Sequence, residues 1–184
     1  MLSKERAVLL VVDVQGRLLP SIHDADATVS AITRLVRGFG IAGAPVVVTE
    51  QYRKGLGETD PRIQEAVREV SGGSFDPYEK MSFSCCRDET FRAAIEALRR
   101  SQVVLCGIES HVCVHQTALD LLGAGYEVQI AADAVSSRSP RNREIALQRL
   151  ASEGAKLTTV ETAVFEMLEV CGTDAFRAWS RLIR

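Results

Sequence analysis

No apolar run in the 184-residue chain approaches the ~20 residues that a membrane-spanning helix needs, which excludes a spanning protein. Positive charge is not in excess either, since 22 Lys and Arg face 24 Asp and Glu for a formal net charge of −2. Neutralising a run of phosphates takes clustered cations, so neither nucleic acid nor an anionic membrane surface is expected as a partner. The N-terminus, Met1-Leu-Ser-Lys-Glu-Arg6, leads straight into a strand-like stretch without the apolar core and cleavage site of a signal peptide, and a cytoplasmic location is expected. Phosphate-binding loops are missing as well. Gly55-Leu-Gly57 and Gly72-Gly73 lack the spacing and strand-to-helix position of such loops, so no nucleotide cofactor is expected. Cysteine occurs five times, at positions 85, 86, 106, 113 and 171. The odd count and irregular spacing fit a reducing compartment, where each reads as packing, metal ligand or nucleophile.

What is present is 46% hydrophobic and 25% charged residues, the balance of one globular domain, expected over residues 1–184. Short apolar, β-branched runs alternate with amphipathic stretches, which predicts a parallel sheet. The runs are Ala7–Asp13, Val46–Thr49, an extended segment at Ser74–Lys80, Gln102–Gly107, Glu127–Ala131 and Lys156–Val160. Helices are expected at about 28–42, from Asp60-Pro61, at 88–100, at 112–122, from Pro140 to Gly154, and twice at the C-terminus. Gln51–Thr59 and Asp133–Ser139 read as loops. The inventory predicts an α/β fold, a three-layer α/β/α sandwich around a doubly wound six-stranded parallel sheet in the order 3-2-1-4-5-6.

In such sheets the ligand crevice lies beyond the carboxyl ends of the strands where their order reverses, here between the first and fourth. Asp13 ends the first strand, Cys113 opens the helix after the fourth, and Lys80 ends the third extended segment. The crevice thus gathers an acid, a thiol and a base. A thiol must lose its proton to attack, and the helix N-terminus together with the Lys80 ammonium is expected to lower the Cys113 pKa. Asp13 is then placed to accept the thiol proton and later return it. Each residue also has a plainer reading: Asp13 as a turn cap, Lys80 as a solvated surface lysine, Cys113 as core packing.

Gly107-Ile-Glu-Ser-His-Val-Cys-Val114, followed by Thr117-Ala-Leu-Asp120 and Ala132-Asp-Ala134, resembles the isochorismatase-like cysteine hydrolases. Leu10-Val-Val-Asp-Val-Gln15 and the isolated Lys80 match that family's Asp and Lys positions, so the resemblance runs over essentially the whole chain. Ala132–Ser139, Thr49–Tyr52 and Gly55-Leu-Gly57 are most similar to the branch named for isochorismatase domain-containing proteins. The resemblance implies Asp13, Lys80 and Cys113 as a catalytic triad. It also implies a cis peptide between Ile108 and Glu109 that turns the Glu109 and Cys113 amides toward one oxyanion, and a homo-oligomer, dimer or tetramer. Glu50-Gln51-Tyr52 stands where nicotinamidase-like members carry an Asp-x-His metal pair, so no metal is expected. Members that cleave the vinyl ether of isochorismate lack the nucleophilic cysteine, so Cys113 points to a C–N bond in a small amide-like substrate, cleaved through a thioester. The alternative is a fold-retaining binding or scaffold protein with weak or no catalysis.

Leu19, Gln51, Tyr52, Phe83 and His115 are expected to wall the substrate pocket. Cys106, Cys85, Cys86 and Cys171 read as packing or loop residues. His111 and His115 have the four-residue spacing of a zinc-binding helix face, but no third ligand is evident. Arg138 reads equally as a contact for an acidic substrate and as half of an ion pair.

Overall fold

Every residue of Ala7–Val12 (β1) is buried, as an all-apolar run requires of a strand with helices on both faces. The computed structural model describes residues 1–184. The remaining strands are Val46–Gln51 (β2), Tyr78–Lys80 (β3), Gln102–Ile108 (β4), Glu127–Ser136 (β5) and Lys156–Thr158 (β6). All pairings are parallel, in the order 3-2-1-4-5-6. The helices are Ala25–Ala42 (α1), the single turn Arg53–Leu56 (α2), Pro61–Val70 (α3), Glu89–Ala97 (α4), Cys113–Gly123 (α5), Pro140–Ser152 (α6), Val160–Leu168 (α7) and Asp174–Leu182 (α8). This is the doubly wound α/β/α sandwich that the strand-helix alternation predicts.

Successive strand side chains point to opposite faces, and β1 divides the core accordingly. Leu9 and Val11 pack with residues of α1, α3 and α7, whereas Val8, Leu10 and Val12 pack with residues of α4 and α5. The helix ends follow local chemistry. Asp60 caps α3 by accepting from the Arg62 N–H at 2.9 Å, with Pro61 at the first helical position. Trp179 on α8 is fully buried with its ring edge-on to Phe165, so the last helix packs on the sandwich itself.

Two stretches depart from the sequence reading. The segment after Gln51 forms the short helix α2, and β5 continues to Ser136 through residues whose polarity suggested a loop from Asp133 onward. The cause is a bulge: Leu105 pairs with Ile130, but Gly107 already pairs with Val135. Pairing resumes beyond the polar residues and extends the strand. Gly107 sits there at φ +118°, where a Cβ would lie 2.2 Å from the Val12 carbonyl oxygen, so only glycine fits between β1 and β4.

Candidate active site

Adjacent β1 and β4 are where the strand order reverses, and their carboxyl ends deliver Asp13 and the loop Glu109–Val112 to one place. Asp13 leaves β1 in the left-handed region at φ 52°. Its Oδ1 accepts from Thr49 Oγ1 at 2.8 Å and its Oδ2 from Lys80 Nζ at 2.6 Å. The two chain segments meet because β2 pairs with both β1 and β3, bringing Thr49 beside β1 and Gln51 opposite Lys80. Lys80 Nζ also approaches Gln51 Oε1 at 2.8 Å and the carbonyls of Phe83 and Ser82 at 3.1 and 3.2 Å. Its three N–H bonds are therefore fully engaged within the protein. Burial is the largest single influence and opposes the ammonium charge, but Asp13 together with the neighbouring Cys85 and Cys113 sulfurs outweighs it and holds the Lys80 pKa above its ordinary value.

Cys113 is the first residue of α5. Its thiol donates to Gln51 Oε1 at 3.9 Å and lies within the field of the Asp13 carboxylate. The expected depression of its pKa is overturned: burial first, and the neighbouring Asp13 charge second, push the thiol above its ordinary value, with Lys80 opposing them. The resting site thus favours a neutral thiol beside Asp13 over a preformed thiolate.

The Ile108–Glu109 peptide is cis. The Glu109 and Cys113 N–H groups donate to no acceptor in the protein, although the chain around them is hydrogen-bonded: Ser110 N–H to Ser136 O at 2.8 Å and Val114 N–H to Glu109 O at 3.2 Å. Glu109 Oε2 accepts from the Arg138 N–H at 2.9 Å and from Arg138 Nε at 3.1 Å. Of the two readings of Arg138, the ion pair is the one observed.

A cavity of about 140 Å³ opens here, lined by Asp13, Leu18, Gln51, Leu56, Phe83, Glu109, Val112 and Cys113. It brings together Asp13, Gln51, Phe83, Glu109 and Cys113 from the expected set, with Lys80 directly behind Asp13. Three expected wall residues lie elsewhere. Leu19 starts a 3₁₀ turn at Leu19–Ser21 and points into the core, leaving its neighbour Leu18 at the cavity. Tyr52 is exposed, its ring folded over Gly55. His115 stands two residues beyond Cys113, on another face of α5. It borders a separate cavity of about 210 Å³ with His111, Asn142 and Arg149. Its burial, and then Arg149, push its pKa down, and its Nδ1 has no partner.

Two supporting residues are assigned no role in the sequence. Gln15 is fully buried, accepting from the Gln51 N–H at 2.7 Å and donating to the carbonyls of Gln51 and Gly57 at 3.1 and 2.6 Å. Thr49 orients the Asp13 carboxylate. Both lie in stretches that carry the resemblance, Leu10–Gln15 and Thr49–Tyr52, but their roles depend on β2 lying beside β1. Glu50, at the place of the metal pair of nicotinamidase-like proteins, instead accepts from Thr59 N–H and Oγ1, both at 2.8 Å. No group of three His, Cys, Asp or Glu side chains is arranged to hold a metal ion.

All five cysteines are free. Cys85 and Cys106 are buried and Cys86 half-buried, whereas Cys171, read as packing, is exposed after α7. The largest cavity, about 570 Å³ between α1, α3 and α8, holds no nucleophile, and its Arg37 and Glu69 pair with each other at 2.6 Å.

A family model described as the isochorismatase domain matches residues 7–162. The chain is 42% identical over 167 residues to isochorismatase domain-containing protein 1 of Danio rerio, covering 91% of this chain and 57% of that longer protein. It is 37% identical over 179 residues to the secreted isochorismatase effector Isc1 of Phytophthora sojae, covering 97% and 84%. Among solved structures, the MAR1 ribonuclease of Caenorhabditis elegans superposes with a TM-score of 0.90 at 33% identity, covering 99% of this chain and 91% of that one.

Proposed function

The chain belongs to the isochorismatase family of hydrolase folds, and from that premise we propose that it hydrolyses the C–N bond of a small amide-like substrate with Cys113 as nucleophile. One observation carries the reading: the buried Lys80–Asp13 ion pair and the Cys113 thiol converge on one small cavity.

As Cys113 Sγ attacks the substrate carbonyl carbon, its proton passes to Asp13 and the S–C bond forms. The carbonyl oxygen takes up the negative charge, and the unpaired N–H groups of Glu109 and Cys113 are available to hold it. Collapse breaks the C–N bond, Asp13 returns the proton to the leaving amine, and a thioester remains. Water then enters, gives its proton to Asp13 and attacks the thioester; collapse releases the carboxylic acid and restores the thiol. Lys80 keeps the Asp13 carboxylate in place and contributes positive charge, without touching substrate. Because the resting sulfur is a thiol, proton transfer accompanies attack.

We also propose that residues 1–184 form one hydrolase domain that works without metal or nucleotide cofactor in a reducing compartment such as the cytoplasm, as five free cysteines suggest. No helix is long and apolar enough to cross a membrane. A homo-oligomer, dimer or tetramer, is proposed in keeping with the exposed Ile145, Leu157 and Phe165, and sedimentation velocity measures it. The test of function is a screen of small amides and ureides against the wild type and Cys113→Ala. Turnover by the wild type alone supports the mechanism; equal turnover by the variant refutes it.

A further inference from the structure

No Lys or Arg lines the cavity, whereas Asp13 and Glu109 do, and four cations around it are engaged within the protein. Lys80 is saturated by Asp13, Gln51 and two carbonyls. Arg138 binds Glu109 at 3.1 Å, Arg53 binds Glu58 at 2.7 Å, and Arg17 Nη1 donates to the carbonyls of Lys54 and Gly55 at 3.2 and 3.1 Å. The walls that remain for a substrate body are Leu18, Leu56, Phe83 and Val112. A carboxylate or phosphate placed against them gives up hydration and meets no cation in the lining, only the acidic Asp13 and Glu109. Size sets a second limit, because about 140 Å³ is close to the ~150 Å³ of an apolar cavity that takes up benzene.

We infer that, with Cys113 as the nucleophile, this site selects an uncharged substrate whose acyl part is apolar and no larger than about six non-hydrogen atoms beyond the carbonyl, and that it rejects acids. Carboxylate-bearing amides, and acidic substrates such as isochorismate itself, fall outside its range. Leu18, Leu56 and Phe83 are the specificity-determining residues, and a cation introduced among them opens the site to anions.

The direct test compares a neutral and an anionic reagent of similar size at the sulfur. The folded protein is alkylated at pH 9 with iodoacetamide or iodoacetate, and the Cys113 and Cys171 peptides are quantified by mass spectrometry, exposed Cys171 serving as internal reference. The rate ratio of iodoacetamide to iodoacetate is expected to be at least about 30-fold larger at Cys113 than at Cys171. In Leu18→Arg and, independently, Leu56→Arg, it is expected to fall at least about fivefold. Equal ratios at the two cysteines in the wild type overturn the inference. A larger rate for iodoacetate than for iodoacetamide at Cys113, relative to Cys171, overturns it too.

A second arm separates this inference from the reaction it rests on. The isosteric pair 4-methylpentanamide and succinamate is offered to the wild type, with the neutral member favoured at least about 30-fold in kcat/KM. Across unbranched amides, kcat/KM is expected to peak at or below seven acyl carbons. If both members of the pair are hydrolysed equally well, hydrolysis stands and the selectivity fails. If neither is hydrolysed while the alkylation preference holds, the cavity's selectivity stands and C–N hydrolysis fails.

Discussion

Lys80 Nζ lies 2.6 Å from Asp13 Oδ2, and each side chain is only 1% exposed. The pair joins β3 to the end of β1 and carries the charge of the site. Removing one partner of a buried pair strands the other, at about 3–5 kcal/mol. Lys80→Met is therefore expected to lower the unfolding free energy by about that amount in urea titrations, and Lys80→Met with Asp13→Leu to recover much of it. A loss under about 1 kcal/mol for the single variant contradicts the pairing. Asp13→Asn is expected to lower kcat by about 10²–10⁴-fold through loss of the base.

Alkaline pH is expected to destabilise the fold through its thiols. Burial raises Cys85 to about 12 and Cys86 to about 11, and it moves Cys106 and Cys113 upward as well. In the unfolded chain these thiols ionise near the ordinary value of about 8.5. A folded pKa above the unfolded one gives stability that is complete below the unfolded value and is lost as pH rises toward the folded one. Lys80, also raised, keeps its contribution until pH passes its ordinary value of about 10.4. Urea titrations are thus expected to show stability falling steadily from pH 8.5 to 10, and constant stability over that interval contradicts the assignment.

The same shift predicts the reactivity of Cys113 at rest. Its iodoacetamide rate, followed on its own peptide, is expected to climb through pH 9 without levelling off near neutrality. A plateau reached by pH 7 would show a preformed thiolate and contradict proton transfer during attack.

The layout of strands and the Asp13, Lys80 and Cys113 set were legible because they rest on features local in sequence: continuous apolar runs, their order, and polar residues at strand ends. What was not legible depends on direction. Leu18 and Leu19 are adjacent and equally apolar, and only the 3₁₀ turn decides that Leu18 faces the cavity. His115 has the right neighbours in sequence but the wrong side of its helix. Gln15 and Thr49 are polar residues whose roles exist only once β2 lies beside β1. The rise in the Cys113 pKa was missed for a related reason: a helix N-terminus and a lysine can be read from sequence, whereas the depth of burial that outweighs them cannot.

Glu109 and Arg138 extend the site outward. Arg138 fixes the carboxylate of Glu109, a cavity-lining residue whose N–H is unpaired, while its own side chain is 61% exposed. As a positioning residue it is expected to act on kcat more than on binding. Arg138→Ala should lower kcat about tenfold with KM and melting temperature little changed, and Arg138→Lys should restore part of the rate. An unchanged kcat, or a change confined to KM, would assign Arg138 a different role.

The acyl-enzyme is the most direct test of the account. Wild-type protein mixed with an amide that it turns over, quenched in acid within the first turnovers and digested, is expected to show the acyl mass on the peptide containing Cys113, and no such mass in Cys113→Ala. Turnover without any adduct on that peptide, at a rate that Cys113→Ala matches, would contradict the mechanism.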